Sequence, residues 1–251
     1  MARLDKETKE ILEKKDLSLE EFSVEVSMRQ SGYAMENDDN QIISVSFYDN
    51  FESDEEIGYA NFFLYDANVI SVSDIRDIAD GYSFDQYQSL SSVRIYQDAA
   101  EADFDKVMGF EHDNENTPWF GIHEMAKATG INPFSYSKGY EQGTFEGRRF
   151  HPNTKSVWGR ILVLHETSIR EEYRTNAITK VLFQNMLKCL RNIGLDWVIV
   201  NPNINEEYMK MNKYPLHTQK SYKTFLSKLG FELTKGRLRD NDSCYCYQLQ
   251  I

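Results

Sequence analysis

Between Trp158 and Phe231 the apolar positions change from a continuous run to helical spacing and back, and then repeat the change. Residues Gly159 to Glu166 read as a buried strand, because the unbroken apolar stretch Ile161 to Leu164 lies between polar ends. A charged turn follows from Ser168 to Ala177. Ile178, Val181, Leu182, Met186, Cys189, Leu190 and Ile193 then recur at three- and four-residue steps, which builds one apolar stripe on a long helix. Gly194 stands where a left-handed C-terminal cap is wanted. Trp197 to Val200 reads as a second buried strand, and a second helix and a strand follow. A strand, a crossover helix and another strand predict a parallel pair. The N-terminus of the crossover helix then presents its unpaired amides above the end of the first strand, which predicts an anion site.

Upstream the period is shorter. Phe22 to Met28, Ile43 to Tyr48 and Ile57 to Leu64 alternate in the manner of strands, and the turn-rich segments between them predict an antiparallel meander. Helical spacing returns between Val72 and Val107, through Ile75, Ile78, Ala79, Tyr82, Tyr87, Leu90, Val93, Tyr96 and Ala100. From 108 to 157 periodicity fails except around Ile122 to Ala128, and a structureless loop of that length is uncommon in a compact domain. The segment is predicted as an ordered insertion packed over the sheet, placed as a lid. Residues 1–20, charged and sparsely apolar, read as an exposed helix or a partly ordered arm. One elaborated α/β domain over 1–251 accommodates all of this, with 41% hydrophobic and 13% aromatic residues to fill its core.

Charge narrows the function. With 28 basic against 40 acidic residues the formal net charge is -12, which opposes phosphate backbones and argues against nonspecific nucleic-acid binding. The charged opening and the absence of a membrane-length apolar run predict a cytoplasmic protein with no membrane partner. Three cysteines are too few for a disulfide scaffold, so reduced thiols are expected. His123-Glu124 and His165-Glu166 each open like a zinc-protease helix but lack the second histidine, and no metal ligand set is expected.

The strand, the turn Arg174-Thr175-Asn176-Ala177-Ile178-Thr179 and the helix resemble the coenzyme A pyrophosphate turn of the GNAT superfamily of acyl-CoA-dependent N-acetyltransferases. There a strand leads into Arg/Gln-x-x-Gly-x-Gly/Ala and a helix. Tyr222 to Phe231 resembles the family's later helix and its closing Tyr-x-Lys-x-Gly-Phe signature. The resemblance implies a mixed twisted sheet with antiparallel N-terminal strands, a central splayed parallel pair, flanking helices and an insertion before the cleft strand. It also implies acetyl-CoA as acyl donor, an amine or protein acceptor, and a donor site formed around Leu164, Ile169, Arg174, Asn176, Ala177, Ile178 and Thr179. Glu166 falls where several family members keep a carboxylate that deprotonates the amine. Three positions depart from the pattern: Ala177 and Thr179 replace glycines that let backbone approach phosphate, and Leu226 stands where many members carry the tyrosine that protonates the leaving thiolate. A fold of this type that has lost catalysis and acts by binding is therefore the alternative.

Each candidate also has a structural reading. Glu166 is equally an exposed polar position alternating with buried Val163 and His165. Arg174 either adds charge-assisted bonds to a pyrophosphate or pairs with Glu171 or Glu172. The aromatic-basic run from Phe134 to His151 packs an insertion onto its domain or meets an anionic ligand, with Tyr136 or Tyr140 as substitute acids.

Overall fold

The computed structural model describes residues 4–30, 41–50, 55–70, 72–96, 153–202, 218–235 and 243–250. Helix α1 (Lys6–Lys15) leads into β1 (Ser23–Gln30), β2 (Gln41–Tyr48) and β3 (Glu56–Asp66). Helices α2 (Val72–Tyr82) and α3 (Phe84–Ser91) precede β4 (Val93–Tyr96), and β5 (Lys155–Trp158) leads to β6 (Arg160–Ile169). A 3₁₀ turn (Glu171–Tyr173) opens onto α4 (Asn176–Asn192), followed by β7 (Trp197–Val200), α5 (Gln219–Leu229), β8 (Glu232–Lys235) and β9 (Ser243–Gln248).

The chain forms two compact units. The first comprises Met1–Tyr65, Arg160–Glu232 and Tyr245–Ile251, and the second Asp66–Gly159 and Leu233–Cys244. A mixed seven-stranded sheet runs in the order β1-β2-β3-β6-β7-β9-β8. β1, β2 and β3 pair antiparallel, as their alternation predicts, with Ser23 opposite Tyr48 and Gln41 opposite Leu64. β6 and β7 form the predicted parallel pair over Ile161 to Val163, facing Trp197 to Ile199, and β7 pairs antiparallel with β9. β6 then runs on to Ile169, so the turn begins later than its charge suggests.

In the first unit, α4 buries Ile178, Leu182, Phe183, Met186, Leu187 and Leu190 in the core that also takes Val45, Phe47, Phe62, Leu162 and Leu164. Each such side chain contributes about 1.5–3 kcal/mol. Phe183 meets Phe225 of α5 edge-on at 5.2 Å, and Asn185 donates to the Phe22 carbonyl at 2.8 Å. The predicted glycine stop holds at Gly194, which takes φ 79°, and Gly230 takes φ 96° in the same way. At the end of α5, Phe231 N–H donates to the Leu226 carbonyl and Gly230 N–H to Ser227, which closes the helix in a Schellman arrangement.

In the second unit, Val93 to Tyr96 is a strand, β4, pairing parallel with β5 from Val93–Lys155 to Tyr96–Trp158. This corrects the helical reading of those positions. Four residues, two of them β-branched and one aromatic, fit either period, and pairing with a distant segment decides it. Of the predicted insertion, Lys155 to Val157 belongs to β5. The rest up to 152, with the Phe134–His151 cluster, Tyr136 and Tyr140, lies outside the described residues, as does Ala100. No helix among the described residues is long and apolar enough to cross a membrane.

Of the two readings of residues 1–20, the helix is found, and it is docked. Asp5 caps α1 by accepting from the Thr8 amide at 2.8 Å, while Thr8 and Leu12 are buried and Leu12 joins the core.

Candidate active site

β6 supplies the carboxylate. Ile161 to Leu164 are all buried, with Leu162 and Leu164 in the core of the first unit; His165 is then exposed, Glu166 half-buried and Thr167 buried, and Ile169 returns to that core after an odd number of residues. Its register against β3 also slips by one residue between the Ala67–Gly159 and Ile57–Arg170 backbone bonds. Both observations describe an extra residue in β6, a bulge, which re-aims side chains. His165, expected to be buried, lies instead against Phe63 with ring centroids 5.1 Å apart.

The adjoining strand holds the bulge closely. Gly58 admits the Ser168 carbonyl, since a β-carbon there would stand 2.4 Å from that oxygen. The Thr167 hydroxyl donates to the Tyr59 carbonyl at 3.0 Å. Asn61 Nδ2 donates to Glu166 Oε1 at 2.7 Å, a contact that no spacing in the sequence announces because the partners are 105 residues apart.

The connection from β6 to α4 is bonded to itself. Arg174 Nε donates to the Ile169 carbonyl at 2.6 Å, and burial holds the guanidinium pKa below its ordinary value, with Glu171 and Glu172 opposing that shift by charge. Tyr173 is buried, donates to Asp49, accepts from Lys15 Nζ of α1 at 2.6 Å, and has that ammonium 4.4 Å from its ring centroid. Its phenol is held protonated to higher pH than usual, first by burial and then by the bond to Asp49.

Thr175 is the N-cap of α4. Its hydroxyl accepts from Ile178 N–H at 3.3 Å, and its carbonyl accepts from Thr179 N–H at 2.9 Å. Of the amides from Asn176 to Thr179 expected to face an anion, those of Ile178 and Thr179 therefore serve the cap, which leaves Asn176 and Ala177 as outward donors. The Thr179 side chain is fully buried, and its hydroxyl has no hydrogen-bond partner among the described residues. Thr8 of α1 reaches this same cap, with its hydroxyl 2.9 Å from Thr175 Oγ1 and 2.9 Å from Asp5 Oδ2. The cap itself had a sequence signal, a threonine immediately before the helical spacing begins.

The structure thus brings Leu164, Glu166, Ile169, Arg174, Asn176, Ala177, Ile178 and Thr179 into one strand–turn–helix segment of the first unit. Leu226 is wholly buried in the core.

No protein-family model and no curated protein matches the chain. Among solved structures it is similar to the apo form of a mutant agmatine N-acetyltransferase, at 8% identity and a TM-score of 0.34, covering 82% of this chain and 73% of that one. So slight an overlap carries no argument, and the functional reading rests on the site's own geometry.

Proposed function

We propose that this chain is a GNAT-like N-acetyltransferase that moves the acetyl group of acetyl-CoA to an amine. The observation that carries the reading is a half-buried carboxylate, turned out of the core by a bulge, on the strand that runs directly into a helix N-terminus. In this reading the donor's pyrophosphate lies at the amides of Asn176 and Ala177, where two N–H groups and the helix dipole favour negative charge. Arg174 adds its terminal nitrogens, its Nε being committed to Ile169. The acceptor nitrogen attacks the thioester carbonyl, whose oxygen is held by backbone amides near Leu164 to Glu166, and Glu166 takes the amine proton. The C–N bond forms as the C–S bond breaks. The sulfur leaves as thiolate and is protonated by water, since a thiolate is a fair leaving group near neutral pH.

The second reading is a non-catalytic binding protein, favoured by Leu226, whose buried side chain supplies no proton, and by the β-carbon of Ala177 in the phosphate cradle. One experiment separates them. Acetyl-CoA and a broad amine panel are mixed with wild type and Glu166→Gln, and free thiol is followed. Release by wild type that falls to the enzyme-free rate in Glu166→Gln supports transfer. Equal release by both removes Glu166 from the mechanism, and none by either, with a calorimetric titration that still shows acetyl-CoA binding, leaves the binding protein.

A further inference from the structure

We propose that Asn61 is the positioning residue for Glu166, choosing which carboxylate oxygen works as the base; this rests on the transfer reading above. Three residues of β3 grip the bulge in succession. Gly58 gives the close backbone approach, Tyr59 accepts from Thr167, and Asn61 reaches the carboxylate itself. The first two fix the strand and leave the Glu166 side chain with its own rotations. Only the Asn61 contact removes them, at 2.7 Å and between two half-buried groups.

The chemistry of the partner matters. A carboxylate that must accept a proton loses basicity beside a cation, because an opposite charge stabilises its ionised form. Asn61 holds it with a neutral amide, and among the described residues no cation pairs with Glu166. Its Nδ2 takes one of the two lone pairs of Oε1, so Oε2, which accepts from no described residue, is the more open oxygen to receive a proton. An ordered base in a fixed geometry is worth more in rate than in binding, since misplacement by a fraction of an ångström is felt mainly at the transition state.

The test is a kinetic comparison of wild type, Asn61→Ala and Asn61→Asp, measured as thiol release with varied acetyl-CoA, alongside the melting temperature of each. Positioning predicts that Asn61→Ala lowers kcat by roughly tenfold to a hundredfold while KM for acetyl-CoA stays within about twofold. It also ranks Asn61→Asp below Asn61→Ala, because the near-isosteric carboxylate replaces the donor with an acceptor and sets a like charge against Glu166. A packing role predicts the reverse order, with Asp closer to wild type than Ala, and melting temperatures that fall in parallel with rate. That order, a change confined to KM, or unchanged kcat in both variants overturns the proposal while leaving transfer in place. No thiol release by wild type with any amine overturns the transfer reading, and this inference with it.

Discussion

Replacing Thr8 by valine isolates the link between α1 and α4, because valine keeps the branched shape and removes only the hydroxyl. The Thr8 hydroxyl donates to Asp5 and to Thr175, its one proton shared between them, and Ile178 N–H donates to Thr175. Thr8 is 0% and Thr175 3% exposed, so neither hydroxyl turns to water when its partner is lost. Thr8→Val removes both contacts, worth about 0.5–1.5 kcal/mol each, and leaves the buried Thr175 hydroxyl without that donor, for a loss of about 1.5–3 kcal/mol. Thr175→Val deletes the cap of α4 as well, and costs about 2 kcal/mol. The double variant leaves no stranded group between the two sites, so it loses less than the sum of the two, by about 1 kcal/mol. Urea unfolding followed by circular dichroism at constant slope gives all four stabilities. Additivity within about 0.3 kcal/mol would refute a direct hydroxyl contact and reduce α1 to an apolar fit through Leu12.

Gly58→Ala forces a β-carbon to 2.4 Å from the Ser168 carbonyl oxygen and 2.9 Å from Ile169 Cα, both backbone atoms, so a loss of about 3 kcal/mol or more is expected as a lower melting temperature; unchanged stability would mean that the bulge yields freely. Tyr173 has a folded-state pKa raised above its unfolded value of about 10, so its contribution is complete below that pH and is lost as pH rises beyond it. Tyr173→Phe, though less stable near neutrality, should therefore begin to narrow the gap to wild type in urea midpoints only as pH rises above about 10; curves that stay parallel there would show that the phenol titrates alike in both states.

What the sequence disclosed follows the reach of each interaction. α4 and β7 were legible because their signals are local: an apolar stripe, a four-residue apolar run, and at Gly194 a glycine that accepts a positive φ without strain. The parallel pair followed from the crossover between them. The β6 bulge had no such signal, since His165 and Glu166 look like the polar end of any strand and only pairing with β3 shows the extra residue. Asn61 and Thr8 were hidden for the same reason, each meeting its partner more than a hundred residues away. For Leu226 the departure from the pattern the sequence resembles was visible, and the core position of its side chain explains it as packing.

The docking of α1 also sets an order of assembly during synthesis. Its hydrogen-bond partners Tyr173 and Thr175 lie 158 residues beyond Lys15 and 167 beyond Thr8, so α1 leaves the ribosome long before these partners exist. A ten-residue charged helix holds little structure alone. β3 waits likewise for β6, because the Asp66–Gly159 stretch of the second unit interrupts the first unit between Tyr65 and Arg160. The first unit therefore gains its α1–α4 contact and its β3–β6 pairing only once the nascent chain has passed α4.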